Sequence, residues 1–420
     1  MLRTTTTIVF LFFLVSVLPA QVNDKRVQRA ISKFEKKEYT SAIHQFKKLY
    51  AEDPKAYIPL KYIANSYRKI NKYDKAELYF NLVVNSVYVE AEDHLNYGQT
   101  LRANGKLAAA AEQFEKFAVK SENNLLSSLL IQSINTVETW ENEPKNFISS
   151  TGEGLNSEHS EYGFISFKDK YYITSNREKN FNSPESFSWD GSAFMSMFEI
   201  DTVSLLDPEA EFVSISGRLN TEYHDGPITI NQAGDRAIIM RIDNELRGRD
   251  FVNKMKLYEG VYEKGKWKSF KPLPFNSDEY STGHPALSPD GKKLYFVSDM
   301  PGTIGQTDIF VVDVLNGNTF SEPRNLGPEI NTERKEMFPF INDKKLYFSS
   351  DGHIGLGGLD VYEVAYNEEE GFHEVKNVGQ PVNSNLDDFS YIVNEENQQG
   401  YFASNRANGK GDDDIYSFYI

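Results

Sequence analysis

The chain has 420 residues and a formal net charge of −16, with hydrophobic residues making up 40% and aromatic residues 13% of the sequence. This length allows two or three domains with substantial hydrophobic cores. The strong negative charge argues against nucleic-acid backbones and anionic membrane surfaces as partners, because both are themselves negatively charged. Cysteine is absent, which excludes disulfides, thiolate metal sites and a cysteine nucleophile.

The first residues have the pattern of a secretory signal. Arg3 precedes an apolar run over Ile8–Leu18, which is followed by Pro19 and Ala20. A basic start, a short apolar stretch and a small residue at the end are typical of a signal peptide, here predicted over residues 1–20. The alternative is an uncleaved membrane anchor, although the apolar run is short for a membrane span. We therefore expect an exported protein whose mature chain does not insert into a membrane.

Residues 22–143 are predicted to form a helical-repeat domain. The pattern recurs at a step of 34 residues, with small residues where paired helices cross and an aromatic residue four positions later. This period resembles the tetratricopeptide repeat (TPR), in which helix pairs stack into a solenoid. Three repeats cover residues 25–121, and a further helix over residues 124–139 is expected to cap the open end. The residues that carry the period are Ala30, Ala64 and Gly98, Tyr39, Tyr73 and Leu107, Ala42, Ala76 and Ala110, and Phe46, Phe80 and Phe114.

The concave face of such a solenoid is the part expected to bind a partner. In TPR proteins this groove usually holds a peptide or a segment of another protein. On the inner helices, Asn65, Asn96 and Gln99 are the polar candidates. The aromatic and alanine residues of the repeat are expected to pack in the core instead.

Residues 146–420 are predicted to form a five-bladed β-propeller. A buried strand, a Gly-rich turn and a second strand recur with matched spacing in Leu294–Val312, Leu346–Val364 and Gly400–Phe418. Two looser copies with longer loops precede these three. A period of roughly 40–60 residues built only from strands is typical of propeller blades. Equivalent positions in the second strand of each blade are Tyr172, Ile239, Tyr295, Tyr347 and Tyr401.

A spare sequence element indicates how the ring closes. A segment with the spacing Gly-x-x-x-Asn leads into the later blades, as in Gly379–Asn383, and the same spacing occurs in Gly152–Asn156, before the first blade. The fifth blade lacks an outer strand of its own. We therefore expect residues 146–150 to pair with the strand around Asp414–Phe418, which removes an exposed sheet edge.

Three blades carry an aspartate at the same place, Asp308, Asp360 and Asp414, one residue before the predicted third strand. We expect each carboxylate to cap backbone N–H groups of the preceding Gly-rich turn. Ion binding is the alternative, although the ordered oxygen spacing of a calcium loop is missing. In the first two blades Ser196 and Lys256 take this position, so a uniform role for the aspartate is not expected.

An enzyme is the competing hypothesis. His159, His224 and His284 lie near the start of the innermost strand in three consecutive blades. If the three imidazoles converged on the central channel, they could bind a metal, as in a propeller hydrolase or a metal-dependent polysaccharide lyase. The simpler expectation is that they are turn or surface histidines, with no metal, no cofactor and no catalytic residue. The sequence contains no nucleophile elbow, zinc-protease helix or phosphate-binding loop.

The blades resemble the WD40-like (PD40) propeller repeats of bacterial envelope proteins, the kind also found in TolB. The resemblance rests on the motif Leu/Tyr/Phe-x-Ser-Asp/Asn followed by Asp-Ile/Val-Tyr/Phe. A signal peptide, a TPR domain and such a propeller together resemble the OmpA-family envelope proteins of Bacteroidetes, including the PorE-like component associated with type IX secretion and gliding. Those proteins continue into a peptidoglycan-binding OmpA domain, which this sequence lacks.

The resemblance implies a non-catalytic scaffold in the periplasm, associated with the outer membrane and its secretion or motility machinery. It implies protein partners in the cell envelope, bound through the TPR groove and one face of the propeller. No nucleic acid partner is expected.

Overall fold

The structure is a computed structural model, and it divides the chain into two compact units. One consists of Met1–Ile134 with Ser186–Ser192, and the other of Asn135–Glu185 with Ala193–Ile420. The predicted signal peptide lies outside the described residues. Within them, no helix is long and apolar enough to span a membrane. The described residues are 23–121, 124–141, 147–150, 152–177, 187–204, 211–215, 219–242, 252–315, 319–367, 371–394 and 398–419.

The first unit is a TPR-type solenoid in which consecutive helices pack against one another. Asp24 begins the first helix by accepting a hydrogen bond from the backbone N–H of Arg26, which satisfies one of the unpaired donors at a helix start. The last helix begins in this unit and continues past Ile134. The helices are α1 (Lys25–Glu35), α2 (Tyr39–Glu52), α3 (Tyr57–Lys69), α4 (Tyr73–Val84), α5 (Ala91–Ala103), α6 (Leu107–Ser121) and α7 (Asn124–Glu141).

The 34-residue period corresponds to the core of this solenoid. The repeated alanine and phenylalanine of α2, α4 and α6 have no solvent exposure in any of the three repeats. In the third repeat the small partner on α5 is Gly98, and a Cβ at that position would lie 2.5 Å from a ring carbon of Phe114. Glycine is therefore needed there because the phenylalanine ring occupies the space of a side chain.

The second unit is a five-bladed propeller. Each blade is an antiparallel sheet of four strands, except that in the third blade two short strands share the outer position. The strands are β1 (Phe147–Ser150), β2 (Glu161–Phe167), β3 (Lys170–Ser175), β4 (Ser196–Asp201), β5 (Val213–Ser214), β6 (Asp225–Ile230), β7 (Arg236–Ile242), β8 (Met255–Glu263), β9 (Lys266–Pro272), β10 (Thr282–Leu287), β11 (Lys293–Ser298), β12 (Asp308–Leu315), β13 (Thr319–Phe320), β14 (Arg324–Asn325), β15 (Glu336–Ile341), β16 (Lys345–Ser350), β17 (Asp360–Asn367), β18 (Gly371–Asn377), β19 (Asp388–Asn394), β20 (Gln399–Ser404) and β21 (Asp414–Tyr419).

The ring closes as the spare element predicts. Strand β1 is the outer strand of the fifth blade and pairs antiparallel with β21, with Ile148 opposite Phe418 and Ser150 opposite Tyr416. The chain then passes through a short helix, α8 (Gly152–Leu155), into the innermost strand of the first blade. The fifth sheet therefore joins the beginning and the end of the propeller sequence.

The hydrophobic core of the propeller lies between adjacent blades. Leu257 of the second blade packs in one cluster with Leu294 and Phe296 of the third. The ring closure buries a cluster of its own, in which Ile415 of β21 packs with Phe164 of the first blade. Each blade thus buries its two faces against its neighbours.

Candidate functional site

The central channel of the propeller is the candidate site of the second unit. Residues at the five innermost strands, β2, β6, β10, β15 and β19, line a cavity of about 390 Å³. This volume lies in the range of small-molecule sites. Among the described residues, no Asp, Glu, Lys or Arg lines the cavity, and its one histidine is His284. The other polar residues in the lining are Ser166, Thr229, Gln232, Ser288, Asn342, Ser390 and Tyr391.

A repeated β-bulge shapes the channel. Each innermost strand shifts register against its neighbour at the same place, and one residue there has a positive φ in every blade. A left-handed conformation costs a residue other than glycine roughly 1 kcal/mol or more, so its recurrence in three blades points to a requirement of the architecture. The five bulge residues are Gly163 (66°), Gly226 (98°), His284 (46°), Phe338 (49°) and Ser390 (53°).

Aromatic side chains at or beside these bulges meet across the channel. The rings of His284 and Phe338 stack with centroids 3.8 Å apart, and Phe338 lies 4.8 Å from Phe389. Tyr162 contacts both phenylalanines at 5.9 and 5.8 Å. Because these four residues come from four different blades, they form one layer across the channel, here called the aromatic layer.

The imidazole of His284 is committed to this layer. The backbone N–H of Phe338 donates to its Nδ1 at 3.4 Å. Burial lowers the pKa of His284 to about 3, because the cationic form would lose its hydration. The ring is therefore neutral near pH 7 and acts as a stacked, hydrogen-bond-accepting member of the layer.

Buried carboxylates stand at the first position of four innermost strands, and they are used by the blade itself. Glu336 accepts hydrogen bonds from the backbone N–H (2.9 Å) and hydroxyl (2.7 Å) of Thr332 and from the hydroxyl of Ser350 (2.8 Å). Burial nevertheless raises the pKa of Glu336 to about 7. The equivalent carboxylates bind the residue four positions earlier in the same way. They are Glu161, Asp225 and Asp388.

An asparagine, buried in three of the five cases, joins each blade to the next. In the fourth blade, the N–H of Val361 donates to Asn383 Oδ1 at 2.7 Å, and Asn383 Nδ2 donates to the Val361 carbonyl at 2.8 Å. Asn156 of the spare element makes the same pair of bonds to Ile415, at 2.8 and 2.9 Å. The asparagine of the Gly-x-x-x-Asn element therefore clamps the third strand of the preceding blade, and at the ring closure this clamp joins residues 259 apart. The other three clamps are Asn220, Asn276 and Asn331.

The repeated aspartates lie where their carboxylates reach the Gly-rich turn. Asp308 accepts from the N–H groups of Ile304 (2.7 Å) and Gly305 (3.1 Å), and Asp360 and Asp414 accept from one turn glycine each. Each is the first residue of its third strand, whereas the sequence predicted a position one residue earlier.

The first two blades replace this aspartate, as the sequence indicates. Ser196 is the first residue of β4 and pairs with Ser175, as Asp308 pairs with Ser298. Lys256 is the second residue of β8 and pairs with Arg241. Lys256 forms an ion pair with Asp278 at 2.7 Å.

The three candidate histidines lie in different settings. His284 belongs to the aromatic layer, whereas the Nδ1 of His224 accepts from the backbone N–H of Met195 at 3.0 Å. His159 lies in the turn before β2, where its backbone N–H donates to Ser157. The described residues contain no group of three or more His, Asp or Glu side chains placed to hold one metal ion. The structure therefore does not bring these three histidines together.

The polar candidates of the helical groove are partly engaged by the solenoid. Asn65 donates to the carbonyl of Lys61 on its own helix at 2.9 Å, and Asn96 is buried. Gln99 is partly exposed and accepts from Arg68 of the neighbouring inner helix at 3.3 Å. Gln99 and Arg68 thus form a polar pair between neighbouring inner helices.

Sequence reasoning missed the aromatic layer and the asparagine clamps. A signal for the layer was present, because proline directly follows the bulge residue in three blades, at Pro227, Pro285 and Pro339. For the asparagine, the sequence shows a regular spacing but carries no signal for its bonds to the preceding blade.

No protein-family model matches this sequence, and no curated protein matches it. Solved structures with some similarity include helical and propeller proteins. The first TPR of Spaghetti, bound to an HSP90 peptide, is 21% identical over 27% of this chain and 90% of that chain, with a TM-score of 0.26. A TolB-type protein from Agrobacterium tumefaciens is 16% identical over 60% of this chain and 71% of that chain, with a TM-score of 0.32. An endo-arabinase from Bacteroides thetaiotaomicron is 10% identical over 66% of this chain and 98% of that chain, with a TM-score of 0.40. At these values none of the likenesses assigns an activity or a partner to this chain.

Proposed function

We propose that this protein is an exported, non-catalytic scaffold of the bacterial cell envelope that binds other proteins through its helical groove and one face of its propeller. In keeping with the resemblance of its sequence to envelope proteins of Bacteroidetes, we propose that it lies in the periplasm and associates with the type IX secretion machinery or the gliding machinery at the outer membrane. The observation that carries the non-catalytic part is the chemistry of the channel. Its described lining has no carboxylate, and the Nδ1 of its one histidine is bonded to backbone.

This lining weakens the enzyme alternative. Glycoside hydrolysis generally uses a pair of Asp or Glu residues flanking the scissile bond, and here the carboxylates at the strand starts accept hydrogen bonds from their own blade. A lyase built on His159, His224 and His284 would need the three rings to converge, and in the structure they do not.

A pull-down with matched variants tests the scaffold. Mature wild-type protein is incubated with envelope extract beside a groove variant, Gln99→Arg, and a propeller variant, Gln232→Arg. Gln232 is exposed at the cavity, and Gln99 is partly exposed in the groove. We expect that specific envelope proteins co-purify with wild type, and that each of them is lost with one variant but retained with the other. Equal recovery with all three proteins would contradict the proposed surfaces.

Two further measurements test the remaining parts of the proposal. Mass spectrometry of the secreted chain is expected to show an N-terminus at Gln21, after removal of residues 1–20; an intact leader would contradict export by cleavage. Turnover of an envelope or plant polysaccharide by the purified protein, lost in a His284→Asn variant, would contradict the non-catalytic assignment.

A further inference from the structure

A tryptophan from outside the repeat sequence, Trp189, packs against the helices of the repeat. Trp189 belongs to the segment Ser186–Ser192, which is part of the first unit although Glu185 and Ala193 on either side belong to the second. Its indole Nε1 donates to the backbone carbonyl of Lys69 at 3.1 Å. Lys69 is the last residue of α3, where helix carbonyls lack partners within the helix. The indole therefore satisfies an acceptor that the helix leaves open.

Three other groups complete the contact. The Tyr39 ring meets the indole edge to face, with centroids 4.9 Å apart and planes at 88°. The Lys37 ammonium lies 5.8 Å from the indole centroid, within the range of a cation–π interaction. The Thr40 hydroxyl donates to the carbonyl of Trp189 at 3.5 Å. Lys37, Tyr39, Thr40 and the Lys69 carbonyl are here called the indole site.

The segment that presents Trp189 is a self-closed turn. The N–H of Phe187 donates to the Ser192 carbonyl at 2.7 Å, and the N–H of Gly191 donates to the Phe187 carbonyl at 2.8 Å. Gly191 has a φ of 88°, a conformation that glycine adopts at low cost. The side chain of Asp190 accepts from the N–H of Ser192. Because the turn holds its own shape, little order has to be imposed on it when it binds.

The next repeat shows that the fold does not require a tryptophan here. Tyr73, one period after Tyr39, has its carbonyl bonded by Asn104 Nδ2 at 3.2 Å, and the same amide reaches Glu77. The residue one period before Asn104 is Ile70, which has no side-chain donor. The residue equivalent to Asn104 in the first repeat therefore cannot make this polar contact, and the indole of Trp189 packs against Tyr39 instead.

We propose that the indole site is a recognition site for a tryptophan presented on a tight peptide turn, and that the chain's own Phe187–Ser192 occupies it. A partner protein that carries such a turn binds the repeat by displacing this resident segment. The specificity follows from three contacts of the indole: its N–H donates to the Lys69 carbonyl, its ring lies near the Lys37 cation, and it makes a T-shaped contact with the Tyr39 ring. The residues of this site are not among those assigned to the groove or the channel, and the proposal does not rest on the function proposed above.

The test uses the full mature chain and a capped hexapeptide of sequence FSWDGS that contains 5-fluorotryptophan. Fluorine NMR then observes only the peptide. In Trp189→Ala the site is empty, and we expect a saturable change of the peptide signal with a dissociation constant on the order of millimolar. Wild type should bind roughly twofold more weakly, because the tethered segment, at an effective concentration also on the order of millimolar, competes with the peptide. A scrambled peptide of the same composition should not bind.

Two controls keep the result decisive. The double variant Trp189→Ala with Lys37→Asn retains a residue that tolerates the positive φ at position 37 and removes the cation, so it should bind the hexapeptide several-fold more weakly. In wild-type protein labelled with 5-fluorotryptophan, excess unlabelled hexapeptide should shift the resonance that a Trp189→Phe variant lacks. The proposal is overturned if Trp189→Ala, with an unchanged circular dichroism spectrum, gives no saturable binding. Equal binding to wild type and Trp189→Ala would also overturn it, since the peptide would then bind elsewhere.

Discussion

The asparagine clamp at the ring closure gives the sharpest stability prediction. Asn156 is buried and bonds both backbone groups of Ile415, and these two residues lie at opposite ends of the propeller sequence. The substitution Asn156→Ala removes both hydrogen bonds and leaves strand pairing between β1 and β21 as the neighbouring contact that holds the closure.

The magnitude follows from the two bonds. A neutral hydrogen bond contributes about 0.5–1.5 kcal/mol net, and a buried backbone group left without its partner costs about 1–3 kcal/mol. We therefore expect Asn156→Ala to lower the free energy of unfolding of the propeller by about 2–4 kcal/mol. At roughly 2–4 °C per kcal/mol for a domain of this size, the melting temperature should fall by about 4–16 °C.

The assay combines calorimetry with hydrogen exchange measured by mass spectrometry. The matched control is Asn331→Ala, which breaks the equivalent pair of bonds to Ile309 and one further bond to Asn325. Both variants should lose stability to a similar extent. Local exchange should distinguish them, with faster exchange in β1 and β21 for Asn156→Ala and in β12 for Asn331→Ala.

Two results would refute this reasoning. A loss of less than about 0.5 kcal/mol in Asn156→Ala would show that the clamp contributes no more than an ordinary surface contact. Unchanged exchange in β21, despite a lower melting temperature, would show that the substitution acts somewhere other than the closure.

Three further predictions concern the blades and the repeat. Because burial raises the pKa of Glu336 to about 7, this side chain keeps a proton in the folded state between about pH 4.5 and 7, whereas it has lost that proton in the unfolded state. The contribution of Glu336 to the free energy of unfolding should therefore fall by up to about 3 kcal/mol as pH rises through this window. The prediction is contradicted if urea titrations show the same pH dependence of the free energy of unfolding for wild type and Glu336→Gln. Asp360→Ala leaves the buried N–H of Gly357 without its acceptor and should cost about 1–3 kcal/mol in a urea titration, whereas no measurable loss would mean that the turn holds without this cap. Gly98→Ala places a methyl group 2.5 Å from the ring of Phe114, so thermal melting of the helical unit should show a loss of about 1–2 kcal/mol despite the better helix propensity of alanine, and a gain in stability would contradict the packing argument.

The sequence alone was sufficient for the architecture. The 34-residue period predicted the paired helices because each repeat buries the same small and aromatic positions, as Ala42 and Phe46 do. The blades could be counted because each one repeats its own turn and strand residues. Even the ring closure was predictable, since the Gly-x-x-x-Asn element ending at Asn156 stands before the first blade, whereas the other copies of the element follow the third strand of a preceding blade. These signals are local in sequence, and local geometry is what turn chemistry and hydrophobic period encode.

The tertiary structure decided what happens where distant residues meet. The aromatic layer joins Tyr162, His284, Phe338 and Phe389 from four blades, and no spacing along the chain announces that contact. The tertiary structure also gives the three histidines different partners: His284 belongs to the aromatic layer, whereas His224 accepts from the backbone of Met195 and His159 lies in the turn before β2. Residues more than 100 positions apart meet only after whole blades have packed, so their contacts depend on blade number and on the left-handed bulges. A single sequence shows the number of blades but neither the conformation of the bulges nor which side chains meet across the channel, because these arise from the sum of many packing interactions and not from any one segment.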